Sequence, residues 1–178
     1  AVDADLDPLY ALILRSDDGL TSLKITREQL HDRLENSTFA FRRQSQKMTG
    51  LPYVFVMEDM ETGAVVGTSS IYSKVGGYEP FYAYQIEKSI HESKELGVYR
   101  EIDVLHLHKE HDGPTEIGSL FLTPEYWGKG NGKLLSLSRF LYMAEFPDRF
   151  DAMTIAEMRG VIDRQGRSPF WDALGRHF

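Results

Sequence analysis

A glycine-rich loop separates a short apolar run from a helix-like segment in the second half of the chain. The apolar run covers Leu120–Leu122, and the helix-periodic segment starts at Leu134. Between them, glycine recurs at alternate positions, as Gly128, Gly130 and Gly132. Glycine lets backbone N–H groups approach a ligand closely, and a helix N-terminus carries partial positive charge. The order of strand, loop and helix predicts a phosphate-binding site, whereas a flexible turn after a core strand is the alternative.

Two carboxylates are the candidates for acid–base chemistry. Glu116 shares a predicted strand face with Gly118 and Leu120, and Glu157 lies in the next predicted strand. Either could act as a base through a water molecule or bind a guanidinium group. A structurally paired carboxylate is the more frequent role of such residues, so the pattern favours that role for each.

Two further groups of polar side chains are weaker candidates. His106, His108 and His111 form a His-x-His-x-x-His run, and two histidines on one strand face can bind a metal. No carboxylate or thiolate pattern accompanies them, and we therefore predict no metal site. Asp17 and Asp18 could meet a cationic substrate, although a solvated loop is more typical of such residues.

The elements that must position these residues follow from hydrophobic periodicity and turn signals. Thr26 and Gln29 form a capping box that starts a helix ending near Arg43. Glu61-Thr62-Gly63 predicts the turn of a hairpin. The remaining predicted elements are helices over Asp5–Leu14, over Asn131–Phe146 and from Pro169 with Ser168 as its cap, and strands over Tyr53–Met57, Ala64–Tyr72, Glu101–His108, Glu116–Leu122 and Met153–Met158. This pattern predicts an α+β (mixed α/β) domain with a mostly antiparallel sheet flanked by helices.

The composition restricts the classes of partner. The chain of 178 residues has a formal net charge of −7, which argues against a nucleic-acid partner. It has no cysteine, which favours a reducing, cytoplasmic setting and excludes thiolate chemistry. No apolar run is long enough to span a bilayer. We therefore expect a small-molecule substrate and no membrane or nucleic-acid partner.

The glycine loop resembles the pyrophosphate loop of the GNAT N-acyltransferases, whose pattern is Gln/Arg-x-x-Gly-x-Gly/Ala. Gly130 and Gly132 take its two small positions, and Trp127 stands where glutamine or arginine is usual. Further segments resemble the arginine N-succinyltransferase family within that superfamily. They are Gly19–Leu23, His91–Leu96, Gly130–Ser136, Ala156–Gly160 and Ser168–Trp171.

The resemblance implies a GNAT-like acyltransferase that moves a succinyl group from succinyl-CoA to the α-amine of arginine, in arginine catabolism. It implies that the main chain of one strand binds the pantetheine arm and that the glycine loop binds the pyrophosphate. No metal is needed. The implied cofactor-binding residues are Leu120, Phe121, Leu122, Gly128, Lys129, Gly130, Asn131, Gly132 and Lys133.

Members of the family are considerably longer than this chain. We therefore expect residues 1–178 to form one acyltransferase-like domain that is incomplete at both ends and takes part in a homo- or hetero-oligomer. Nothing here matches the family's proton-donating histidine. Trp171 stands where many relatives carry an acidic tyrosine, and we expect it to be a core aromatic residue. The alternatives are an N-acyltransferase with another acyl donor or amine acceptor, and a non-catalytic module for CoA binding or assembly.

Overall fold

The computed structural model describes residues 1–16, 20–45, 47–76, 81–110, 113–163 and 165–177. The helices are α1 (Leu6–Ile13), α2 (Arg27–Arg42), α3 (Asn131–Glu145) and α4 (Pro169–Gly175). The strands are β1 (Pro52–Glu58), β2 (Val65–Tyr72), β3 (Phe81–Ser93), β4 (Val98–Glu110), β5 (Thr115–Leu122) and β6 (Thr154–Ile155). Short 3₁₀ turns lie at Asp3–Asp5, Thr21–Leu23, Pro124–Tyr126 and Pro147–Arg149.

The strands form two separate sheets. The main sheet has the order β1-β2-β5-β6, in which β2 is antiparallel to both β1 and β5, whereas β6 is parallel to β5. Strands β3 and β4 pair with each other as an antiparallel ribbon. The predicted α+β class, with a mostly antiparallel sheet flanked by helices, is therefore confirmed.

Alternation along β1 directs side chains to the two faces of the main sheet. Val54 packs with the buried leucines of α1 and α2 in one core cluster. Tyr53 and Phe55 instead belong to an aromatic cluster with Tyr142 of α3. Helices thus cover both faces of the main sheet. Successive side chains of a strand point to opposite faces, so a strand with buried residues on both faces must be covered on each side.

The capping box that starts α2 is confirmed in both directions. The Gln29 amide donates to Thr26 Oγ1 at 3.2 Å, and the Thr26 amide donates to Gln29 Oε1 at 2.8 Å. These two bonds satisfy donors that the first turn of a helix leaves without helical partners. The helix end at Arg42 also agrees with the prediction to one residue.

Near the C-terminal end of the chain, two expectations are wrong and one holds only in the position of the residue. The strand predicted over Met153–Met158 is reduced to Thr154–Ile155, because the following segment turns away from β5. Ser168 is the N-cap residue of α4, but its side chain makes no capping hydrogen bond. Trp171 is 57% exposed and contacts Phe170 edge-on, since α4 buries none of its residues in the part of the chain that the structure describes.

Candidate functional site

A cavity of about 560 Å³ lies between β5 and the segment that follows β6. It exists because the two strands pair only at Thr115–Thr154 and Glu116–Ile155 and then diverge. Beyond Glu116, no described strand pairs with the edge of β5 that faces away from β2. The lining residues are Leu20, Thr21, Ser22, Glu116, Ile117, Gly118, Ser119, Leu120, Ala156, Glu157, Met158 and Arg159.

A β-bulge in β5 shapes the wall of this cavity. Gly118 pairs with Ser70 and Phe121 pairs with Thr68, so that Ser119 and Leu120 together face only one residue of β2. Ser119 adopts a φ of 52°, in the left-handed region that costs a non-glycine residue roughly 1–2 kcal/mol. Bulges redirect side chains, and they are frequent beside active sites. The simple alternation that we expected for Glu116, Gly118 and Leu120 therefore breaks at Ser119, although all three residues line the cavity.

Hydroxyl groups connect the bulge to the N-terminal part of the chain. The Ser119 hydroxyl donates to Ser22 Oγ at 3.2 Å and is also hydrogen-bonded to Tyr72. Arg33 Nη1 donates to the Ser22 carbonyl at 2.8 Å, which fixes the turn that carries Ser22. Burial raises the pKa of Tyr72, so its hydroxyl stays protonated at neutral pH.

The two predicted carboxylates meet in the cavity. Burial raises the pKa of Glu116, and the negative charge of Glu157 raises it further. Neither takes part in an ion pair within the described residues. A half-buried carboxylate with a raised pKa is suited to accept a proton near neutral pH.

The glycine loop leads into α3 with an unusual backbone. Gly128, Lys129 and Gly130 have successive φ values of 83°, 50° and 85°. Gly130 is the N-cap residue of α3 and offers no side-chain cap. The Asn131 N–H bonds the Gly128 carbonyl, while Gly132, in the first helical turn, has no helical partner for its N–H. The N-terminus of α3 is thus open to an anionic ligand.

Three side-chain hydrogen bonds hold the loop in place, within itself, to the turn after β1 and to the end of β5. Asn131 Nδ2 donates to the Tyr126 carbonyl at 2.9 Å, and the Tyr126 hydroxyl donates to Asp59 Oδ2 at 2.5 Å. Trp127 Nε1 donates to the Leu122 carbonyl at 2.7 Å. The indole therefore braces the loop, which gives Trp127 a structural reason to stand at the position where GNAT enzymes usually have glutamine or arginine.

The buried guanidinium of Arg139 connects α3 to the wall of the cavity. Its Nη1 donates to the Gly118 carbonyl at 3.4 Å, and its Nε donates to the Ser136 carbonyl at 3.1 Å. Burial lowers the pKa of this group. A buried cation that bonds main-chain carbonyls on both elements holds the helix in register with the strand.

The predicted cofactor-binding residues lie along one path from the cavity to α3. Leu120 lines the cavity, whereas the side chains of Phe121 and Leu122 pack in the core and leave only main-chain atoms for a ligand. A Cβ atom at Gly132 would lie 4.0 Å from Leu122 Cδ2, so the helix N-terminus adjoins the strand end. Lys129 and Lys133 are exposed at the same end.

The other predicted residues either lie close to a carboxylate on a neighbouring strand or fall outside the described residues. His106 and His108 lie 3.7 and 3.4 Å from oxygens of Glu87 on the neighbouring strand, so a carboxylate does accompany them. Asp17, Asp18 and His111 lie outside the described residues. Among the described residues, His31, Asp32 and Glu35 form one exposed group of possible metal ligands, away from the cavity. In the described part of the chain, no helix is both long and apolar enough to cross a membrane.

Sequence reasoning missed the hydroxyl network around the bulge. Ser22, Tyr72 and Ser119 carry no motif, and Ser22 lies 97 positions from Ser119. The available signal was the pair of family-like segments Gly19–Leu23 and Ala156–Gly160, because Leu20–Ser22 of the first and residues 156–159 of the second line the same cavity. Segments that are distant in sequence thus converge on one site.

Comparisons with known proteins agree with this geometry. Residues 1–178 match the family described as "Arginine N-succinyltransferase beta subunit". Over 175 residues, the chain is 43% identical to arginine N-succinyltransferases of Shigella flexneri and Escherichia coli, a match that covers 98% of this chain and 51% of each relative. The solved structure of arginine/ornithine succinyltransferase subunit AI from Pseudomonas aeruginosa has a TM-score of 0.89 at 35% identity, covering 100% of this chain and 54% of that one. The chain therefore spans about half the length of the curated relatives it matches.

Proposed function

The chain belongs to the arginine N-succinyltransferase beta subunit family, and we propose that it binds succinyl-CoA and transfers the succinyl group to the α-amine of arginine. One observation carries this proposal. A single strand, β5, leads from a cavity with two carboxylates to the open N-terminus of α3. An acyl-CoA needs both, because its reacting thioester and its diphosphate lie at opposite ends of an extended arm.

The diphosphate would bind at the glycine loop. The open N–H group of Gly132 and the partial positive charge of the helix N-terminus favour an anion there. Lys129 and Lys133 add full charges from the same side. The pantetheine arm would then follow the unpaired edge of β5, where main-chain groups of Leu120–Leu122 can bond its amides. The Leu122 carbonyl already accepts from Trp127 and therefore contributes least.

The thioester would lie beside the bulge at Ser119. The α-amine of the acceptor loses a proton to Glu116 through a water molecule, and its nitrogen attacks the thioester carbonyl carbon. Main-chain N–H groups that the bulge frees from the β2 ladder can stabilise the oxyanion. The carbon–sulfur bond then breaks, the nitrogen sheds its second proton to become the amide N–H, and the departing coenzyme A thiolate takes up that proton through solvent. Products are the N-succinyl amino acid and free coenzyme A.

The charges in the cavity support a cationic acceptor and an acidic acyl group. Glu157 offers a carboxylate to the guanidinium group of arginine, while Glu116 remains available for the amine. Arg159 lines the same cavity and has the sign that the distal carboxylate of a succinyl group requires. We favour succinyl-CoA over acetyl-CoA because the curated relatives that the chain matches are arginine N-succinyltransferases.

The test is a thiol-release assay. Since the chain has no cysteine, a thiol reagent reports only the coenzyme A that the reaction frees. We expect release with succinyl-CoA plus arginine, much slower release with acetyl-CoA, and a loss of about a hundredfold in Glu116→Gln. The exposed Glu145→Gln on α3 is the matched control and should retain full activity.

Each other outcome selects a different function. Faster turnover of another acyl donor or another amine would make the chain an N-acyltransferase of different specificity. Coenzyme A binding without turnover would indicate a non-catalytic binding or assembly module. Failure to bind any coenzyme A compound would contradict the proposal entirely.

Assembly and location remain parts of the proposal. The family description names a subunit, and this supports an oligomeric enzyme. The substrates are metabolites of arginine breakdown, and for that reason we assign the protein to the cytoplasm. Fractionation of cells that produce it tests this location.

A further inference from the structure

The β3–β4 ribbon is long, and its two strands pair only with each other. All thirteen pairs from Phe81–Glu110 to Ser93–Val98 are in continuous register. Within the part of the chain that the structure describes, no other element packs extensively against either strand. An isolated two-stranded ribbon is at best marginally stable in water, whereas packing on further strands or a helix stabilises it. The ribbon therefore requires a surface to pack against.

One face of the ribbon carries a continuous apolar patch. Tyr84 pairs with Leu107, and Ile86 pairs with Leu105, so that these four side chains project from the same face together with Tyr82. Each of the five is at least 50% exposed. A contiguous apolar patch of this kind on a protein surface marks an interaction site.

The patch has opposite charges at its two ends. At one end, Lys109 pairs with Tyr82 and places its Nζ 5.8 Å from the ring centroid. At the other end, Lys88 lies 3.5 Å from Asp103 and 2.7 Å from Glu101, which leaves one negative charge in excess. The cross-strand pairs Tyr82–Lys109 and Lys88–Asp103 lie on this face directly beside the apolar pairs, one at each end. Lys109 and Asp103 are therefore equally distant from the centre of the patch.

We propose that this face packs against the same face of a second copy of the chain. The two-fold axis runs across the strands, midway between the Tyr84–Leu107 and Ile86–Leu105 pairs. Rotation about this axis places the Tyr84–Leu107 pair of one copy over the Ile86–Leu105 pair of the other. It also brings Lys109 of each copy over Asp103 of the other copy, which gives two such contacts. An isologous contact needs this self-complementarity, and the charge arrangement favours a second copy over an unrelated partner.

The contact would resemble a small sandwich of two ribbons about 10 Å apart. A two-stranded ribbon that is nine residues long has a face of roughly 30 by 10 Å. The area of this face is smaller than the roughly 800 Å² that each partner buries in a standard interface. The dimer should therefore be weak and depend on concentration. This inference goes beyond the proposed enzymatic function, and its tests measure mass alone, so either proposal can fail without the other.

Sedimentation velocity of the intact chain, from about 1 to 500 µM, gives the first test because micromolar dimers dissociate within that range. We expect a monomer–dimer equilibrium that Ile86→Asp weakens at least tenfold. Ile102→Asp is the matched control, because Ile102 pairs with Ser89 on the opposite face of the same ribbon and is also exposed. The dimer dissociation constant of Ile102→Asp should stay within threefold of the wild-type value.

A charge exchange provides the second test. Lys109→Glu and Asp103→Lys each place like charges opposite one another in their own homodimers and should each weaken the dimer about tenfold. In an equimolar mixture, the introduced glutamate of one copy faces the introduced lysine of the other, and the one remaining pair, Asp103 with Lys109, also has opposite charges. The dissociation constant of the mixed dimer should lie within threefold of that of the wild-type dimer. A wild-type chain that stays monomeric at every concentration, equal effects of Ile86→Asp and Ile102→Asp, or a mixture without recovery would overturn the proposal.

Discussion

Glu157 and Glu116 lie in the same cavity, and the charge of Glu157 adds to burial in raising the pKa of Glu116. The relationship assigns different roles to two carboxylates that look equivalent in the sequence. Glu116, whose pKa is raised on β5, is the candidate base. The exposed Glu157 is the candidate partner of a cationic group.

The first prediction concerns the pH dependence of catalysis. A base is active only when deprotonated, so activity rises with pH through the raised pKa of Glu116. Glu157→Gln removes the repulsion and should shift the acidic limb of the kcat/KM profile to lower pH, while the contribution of burial remains. A profile between pH 4.5 and 9 measures this shift. A limb that stays in place, or moves to higher pH, would show that Glu116 is not the titrating base.

The second prediction concerns stability. A carboxyl group whose pKa is raised by folding stabilises the native state fully below its unfolded pKa, near 4.3, and loses that contribution as pH rises through the folded value. Glu116→Gln cannot ionise. Its melting temperature should therefore exceed that of the wild type at pH 8, and the difference should shrink towards pH 4. Parallel curves for the two proteins would contradict this sign.

The third prediction separates the packing role of Gly132 from its binding role. Among the described residues, a Cβ atom there meets only Leu122 Cδ2, at 4.0 Å, and the φ of Gly132 is not in the left-handed region. Gly132→Ala should thus keep the fold and stabilise it by up to about 1 kcal/mol. It should still weaken coenzyme A binding about tenfold, or about 1.4 kcal/mol, because the methyl group keeps the diphosphate from the N–H groups. Calorimetric titration measures this affinity.

Gly175→Ala is the control for that substitution. Gly175 also lies in a helix, α4, and an added Cβ would meet no atom within 4 Å among the described residues. Its affinity for coenzyme A should be unchanged. Equal affinities of the wild type, Gly132→Ala and Gly175→Ala would place the diphosphate away from α3.

The fourth prediction tests the strained bulge. Ser119→Ala keeps the positive φ and loses the hydrogen bond to Ser22, so we expect a loss of about 1 kcal/mol. Ser119→Gly loses the same bond but relieves the strain, and it should be about 1 kcal/mol more stable than the alanine variant. Urea unfolding gives both values. The usual order within a strand, alanine above glycine, would show that Ser119 bears no strain.

The sequence predicted those parts of the fold that local chemistry determines. The capping box at Thr26, the hairpin turn at Gly63 and the start of α3 at Asn131 follow from neighbouring residues, and each is confirmed. The bulge at Ser119 could not be predicted, because polar and apolar residues do not alternate strictly along Glu116–Leu122, so a shift in the alternation is not visible in the sequence. The early end of β6 could not be predicted either, because it depends on where β6 stops pairing with β5, and the two strands are distant in sequence.

Backbone-amide NMR during a titration with succinyl-CoA tests the central claim most directly, because it locates the ligand without requiring turnover. We predict that the largest shift changes occur at Leu120–Leu122 and Gly128–Lys133, with smaller changes in the cavity segment 156–159. Amides of the β3–β4 ribbon should stay unchanged at a fixed protein concentration. Saturable changes confined to other surfaces, or none at millimolar succinyl-CoA, would contradict the claim that β5 and the N-terminus of α3 bind the acyl-CoA.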